Sequence, residues 1–110
     1  MTTATLTVLY PNVAGAKYDF DYYINSHMPL AAAKWKPLGC LSWTVAKYQP
    51  DPDGQPPRYA FAGLIRFSSL EAVRKALAST ETAELMEDVP NYSNQELQFL
   101  MAEDTETTTA

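Results

Sequence analysis

The stretch Arg58 to Phe67 is apolar on both sides at once, and this one strand limits what the rest of the chain can build. Side chains alternate across a strand, so Tyr59, Phe61, Ile65 and Phe67 point one way while Ala60, Ala62 and Leu64 point the other. A strand of this kind needs cover on two faces.

The flanking segments say where the first cover comes from. Thr3 to Tyr10 reads as a strand with Leu6, Val8 and Tyr10 on one face, and Leu9 breaks the alternation. Pro11-Asn12 and Gly15 mark a turn. From Asp19 to about Lys34, the residues Phe20, Tyr23, Ile24, His27, Leu30 and Ala31 recur at helical spacing, with Asp19 as N-cap. Pro29 removes a backbone N–H and disfavours α geometry at Met28, which predicts a bend or break there. Gly39 to Gln49 reads as the second strand, and the loop Pro50 to Pro57 holds four of the chain's eight prolines. Ser68 to about Ala78 reads as a helix, with Ser68 and Glu71 as a capping box and Leu70, Val73 and Leu77 as its buried stripe. A shorter helical piece is expected across Glu81 to Glu87, then a loop from Asp88 to Asn94, then a last strand from Gln95 to Glu103. Asp104 to Ala110 is expected to fray.

The order is β-α-β-β-α-β, the split βαβ pattern of an α+β ferredoxin-like domain, with an antiparallel four-stranded sheet and helices on one face. It fills residues 1–110 as a single domain, ordered over about 3–103. The other face of the sheet then needs a second subunit, stacked sheet on sheet, at roughly 25 cal/mol per Å² of apolar surface removed from water.

Net charge is −5, and the eight Lys and Arg are scattered, which argues against nucleic acid and anionic membranes as partners. Cys40 is the only cysteine and sits among apolar neighbours, so it reads as an inert buried thiol. No apolar run reaches the ~20 residues a bilayer needs, and the first residues lack signal-peptide features, so a cytoplasmic location is expected.

His27 is the only histidine and lies near the centre of the apolar stripe. A buried imidazole favours its neutral form and can act as a base; it can equally be a core residue satisfied by one partner. Pro29 opens the helix beside it, and Tyr23 offers a hydroxyl one turn earlier on the same face. Tyr22 diverges by about 100°, so the stripe selects Tyr23. Tyr10, Tyr48, Tyr59 and Tyr92 read first as packing residues. Asn91-Tyr92-Ser93-Asn94 reads as a turn or as a polar lip over a pocket. One His and one Cys cannot build a Cys/His zinc site or a two-His iron site in one chain. No P-loop, G-x-G-x-x-G or G-x-S-x-G motif is present. Haem ligation by His27 stays open, since one axial ligand suffices.

Two stretches together resemble the EthD family. One is Tyr10-Pro11-Asn12, Gly15, and Phe20-Asp21-Tyr22-Tyr23 through His27-Met28-Pro29-Leu30; the other is Asp88-Val89-Pro90-Asn91-Tyr92-Ser93-Asn94. The resemblance spans roughly Leu6 to Glu103. It implies a ferredoxin-like subunit that pairs into a dimeric α+β barrel, with relatives that move protons on conjugated or aromatic substrates without an organic cofactor. It also implies that His27 is the motif histidine and that Tyr23 and Asn91-Tyr92 surround the same cavity.

The resulting expectation is a cofactor-independent lyase or isomerase, working as a homodimer on a small cyclic or aromatic metabolite. His27 would be general acid/base with Tyr23 beside it, while Tyr10, Asn91 and Tyr92 contact the substrate and Trp43 with Phe61 forms an apolar wall. No metal site is expected. The rival readings are an accessory protein that binds a hydrophobic metabolite, haem binding, and a structural dimer without a ligand.

Overall fold

The computed structural model describes residues 2–109. Strands β1 (Ala4–Pro11), β2 (Cys40–Lys47), β3 (Tyr59–Phe67) and β4 (Gln98–Glu103) form one antiparallel sheet in the order β2-β3-β1-β4. The helical layer comprises α1 (Phe20–Tyr22), a π-helical turn (Tyr23–His27) and α2 (Met28–Trp35), then α3 (Leu70–Leu77) and α4 (Thr80–Asp88). The shortest dimension is 20 Å, as two stacked layers require. This is the α+β ferredoxin-like arrangement expected from the order of elements.

Register decides which face is buried. β1 and β3 pair Leu6 with Ile65 and Tyr10 with Phe61, and these side chains meet the helices in the core with Phe67, Val73 and Ala76. The opposite face carries Leu9, Ala62, Leu64 and Leu100 interspersed with Thr5, Thr7, Ser42 and Thr44. Among the described residues no helix covers it; Leu9 and Ala62 are nevertheless buried, whereas Leu64 is half-buried and Leu100 is 57% exposed.

Three local expectations are corrected. Before Pro29 the α-helix is interrupted by the π turn but the chain does not leave helical geometry: Met28 keeps right-handed helical angles (φ −67°, ψ −41°), and its N–H reaches back five residues to the Tyr23 carbonyl. The extra residue in that turn absorbs the missing donor of Pro29 and relieves its ring. The cap of α3 is Ser69, whose Oγ accepts from the Ala72 N–H at 3.0 Å. Ser68 still follows the strand, donating its N–H to the Gly39 carbonyl at 2.9 Å, so the helix starts one residue later; Val73 and Ala76 are its fully buried residues. β4 begins at Gln98 because Ser93 and Gln95 close a local turn through the Ser93 hydroxyl.

The tail is anchored at its start. Asp104 accepts from the hydroxyls of Thr3 at 2.6 Å and Thr5 at 2.9 Å, and its N–H donates to the Thr3 carbonyl. Those bonds outweigh the fraying that its polar sequence suggests. Among the described residues no helix is long and apolar enough to cross a membrane.

Candidate active site

Backbone ties hold two distant segments together. The Asp19 N–H donates to the Tyr92 carbonyl at 2.8 Å, Tyr18 and Ser93 form an antiparallel bridge, and the Lys17 N–H donates to Asn94 Oδ1 at 2.8 Å. Asp19 also caps α1, accepting from the Tyr22 N–H at 3.0 Å. The start of the first helix is therefore pinned to the turn after α4. That pinning brings Asp88 and Tyr92 to His27.

His27 lies on the π-helical turn and is 7% exposed. Its Nδ1 is 2.9 Å from Asp88 Oδ2, so the ring donates there and leaves Nε2 as the acceptor. Nε2 is 3.3 Å from the Tyr92 hydroxyl, which lies 2.7 Å from the Tyr10 hydroxyl. Tyr23 stacks on the imidazole, with ring centres 5.7 Å apart and planes at 18°. Burial pushes the His27 pKa below its ordinary 6.5, and the Asp88 bond and charge only partly offset this. The ring is accordingly neutral near pH 7.

Burial works to raise the Asp88 carboxyl, but hydrogen bonds from Tyr22, His27 and Asn91 outweigh it and hold the pKa below the usual carboxylate value. Tyr22 donates to Asp88 Oδ1 at 2.7 Å and the Asn91 amide at 2.9 Å. Burial also drives the phenols of Tyr10, Tyr23 and Tyr92 well above the ordinary range, so all three stay protonated donors. The result is an anion, a neutral base and two hydroxyls in series. Such a series can accept a proton at Nε2 while hydrogen-bonding an oxygen beside it.

A cavity of about 30 Å³ adjoins this series, room for one water. Tyr10, His27 and Tyr92 form its polar end, and Met28, Leu85 and Phe99 are among its apolar walls. At the far side the Trp35 Nε1–H donates to Thr82 Oγ1 at 2.9 Å, and that hydroxyl donates to the Ala76 carbonyl at 2.6 Å. Nδ1 is thus committed to Asp88, while Nε2 meets only the Tyr92 hydroxyl. Among the described residues no group of three or more His, Cys, Asp or Glu could hold a metal.

Of the residues singled out from sequence, His27, Tyr23, Tyr10 and Tyr92 converge on this cavity. Three others do not line it. Asn91 spends its amide on Asp88 and faces an outer crevice. Phe61 stacks on the far side of Tyr10, with ring centres 4.3 Å apart. Trp43 projects from β2 toward the helices and shares a surface crevice with Ala32 and Lys36. The residue next to Nε2 is Tyr92 rather than Tyr23.

Two residues were missed. Asp88 lies 61 positions from His27, beyond any periodicity argument; its place at the head of the second motif was the one available sign. Tyr22, which the stripe correctly leaves off the cavity, joins from outside by donating to Asp88, and its ring stacks on Tyr92.

No protein-family model and no curated protein matches this sequence. Solved structures do match. An EthD-like protein of Ralstonia eutropha superposes with a TM-score of 0.87 at 25% identity, covering 99% of this chain and 97% of that one. An ethyl tert-butyl ether D (EthD) family protein of Bacillus halodurans gives 0.72 at 19% identity, covering 94% and 99%. SnoaB of Streptomyces nogalater, a cofactor-independent oxygenase, gives 0.64 at 12% identity, covering 97% of each chain. The latter two share the fold.

Proposed function

We propose that this chain, which shares its fold with EthD-like proteins, is an enzyme that moves protons on a small cyclic or aromatic metabolite. The observation that carries the reading is a buried neutral imidazole, oriented by a carboxylate and open at Nε2 toward hydroxyls and an apolar cavity. In this reading His27 removes a proton from an acidified carbon or phenol. Asp88 steadies the imidazolium that forms, and Tyr92, backed by Tyr10, holds the substrate oxygen. Return of the proton at another atom gives isomerisation; loss of water or carbon dioxide gives a lyase reaction.

Mass spectrometry of small molecules that co-purify with the protein identifies the candidate substrate. His27→Ala then loses about 10²–10⁴-fold in turnover while keeping affinity. Full turnover in that variant overturns the assignment, and unchanged affinity with unchanged pathway function makes the protein an accessory binder.

The fold shared with SnoaB favours a second reading, in which the anion left by proton removal reacts with dioxygen. Substrate-dependent oxygen uptake separates the two.

We also propose a homodimer. The open sheet face, where Leu64 is half-buried and Leu100 exposed, gains cover if a second copy stacks on it. Light scattering at micromolar concentration is expected to give twice the chain mass; a stable monomer rejects this.

A further inference from the structure

The cavity beside His27 holds about one water, whereas pockets for organic ligands run to about 300 Å³ or more, so a substrate has to part some of its walls. The exposure of the lining shows which walls. Of the side chains around the cavity, Met86 at 42% and Phe99 at 39% alone are more than a third exposed among the described residues. Met86 projects from α4 and Phe99 from the edge strand β4. α4 packs on α2 and α3, and β4 on β1 and α3, so the seam between α4 and β4 is bridged chiefly by side chains. Methionine is unbranched and adapts to what lies against it.

The polarity of the lining constrains what passes through. The hydroxyls of Tyr10 and Tyr92 and the imidazole of His27 stand at one end. At the other, the Trp35 indole N–H and the Thr82 hydroxyl satisfy one another and the Ala76 carbonyl, leaving no free donor for a ligand. A second polar substituent there would be buried without a partner, at about 1–3 kcal/mol.

We propose that ligands enter between α4 and β4, that Met86 and Phe99 set the width admitted, and that the preferred ligand is an apolar ring compound with an oxygen at one end only. This rests on the cavity being the substrate site of the proton-transfer reading and adds its substrate class and selectivity. Phe99 and Met86 act on access and fit, and the chemistry stays with His27.

Naphthol and hydroxyanthracene, two and three fused rings each with one hydroxyl, serve as probes, with binding followed by their own fluorescence. Phe99→Ala and Met86→Ala are expected to improve hydroxyanthracene binding relative to naphthol by about tenfold, the scale at which a pocket gains or loses a small apolar group. Met86→Trp is expected to weaken both. Leu30→Ala, which removes a comparably exposed side chain on α2 away from the cavity, leaves both unchanged. Wild-type binding in all three seam variants, with unaltered thermal melts, overturns the proposed entrance; failure of either probe to bind the wild type overturns the ligand class. The readout needs no turnover, so a catalytically silent pocket would still show the selectivity change, and loss of the proton-transfer reading is seen separately in His27→Ala kinetics.

Discussion

Asp88 Oδ2 lies 2.9 Å from His27 Nδ1, and this contact decides which nitrogen of the imidazole faces the cavity. A donor at Nδ1 leaves Nε2 with its lone pair directed at Tyr92. Asp88 is in turn gripped by Tyr22 and Asn91, so it is a fixed anion with little freedom to turn away.

Replacing Asp88 with Asn removes the charge and lets the amide face the ring either way. His27 is the only histidine, so its imidazole gives a single titrating signal in nitrogen-edited NMR. In the wild type that signal is expected to titrate below 6.5, because burial dominates. Asp88→Asn moves the midpoint lower still, since the carboxylate was the group favouring the cation. Turnover of the co-purified substrate is expected to fall by about 10²–10⁴-fold as the tautomer becomes mixed. A midpoint that rises in Asp88→Asn contradicts this account.

The same shifts set the pH dependence of stability. For His27 the folded pKa lies below the unfolded one, so between the two the unfolded chain binds more protons. Its contribution is present above about pH 6.5 and is lost as pH falls toward the folded value. Asp88 and Asp104, both lowered from 3.8, add stability above that value that is lost in stronger acid. Scanning calorimetry should show Tm falling as pH drops below 6.5, with a second decline below 4. His27→Gln removes the first decline and leaves the second. An unchanged first decline in that variant assigns it elsewhere.

The alternating pattern of Tyr59 to Phe67 and the stripe through Phe20, Tyr23 and His27 made the sheet, the helix layer and the inward histidine legible, because burial writes period into sequence. What stayed hidden depended on tertiary contacts. Asp88 looked like loop chemistry, yet a helix end and a backbone bridge between Tyr18 and Ser93 deliver it to the ring. Tyr22 enters the network only through Asp88, a partner that no spacing within its own helix identifies. Trp43 and Phe61 are apolar and face the helices, but apolarity alone does not say which part of the core a ring joins.

Two adjacent serines offer a direct check on where α3 begins. Ser69 Oγ accepts from the Ala72 N–H, whereas Ser68 donates its backbone N–H to Gly39 as the strand ends. Ser69→Ala is expected to cost about 1 kcal/mol in urea unfolding, as loss of an N-cap does. Ser68→Ala is expected to stay within about 0.5 kcal/mol of the wild type. Equal losses would place the cap wrongly.

Gly63 sits on β3 under the ring that stacks on His27, and a methyl group there would overlap the Tyr23 hydroxyl. The neighbouring Ile65 and Met28 side chains stand at 3.6 and 3.7 Å from that methyl position, so the crowding comes from the phenol alone. Gly63→Ala therefore has to push Tyr23 outward, toward the imidazole it covers. Overpacking of this kind costs about 1–3 kcal/mol. Tyr23→Phe removes the clashing oxygen, so the double variant should recover most of that loss, and the coupling between the two changes should be favourable by more than about 0.5 kcal/mol. The His27 signal should shift in Gly63→Ala and return toward its wild-type position in the double variant. If the two substitutions prove additive in urea unfolding, the hydroxyl of Tyr23 does not occupy the space that Gly63 leaves.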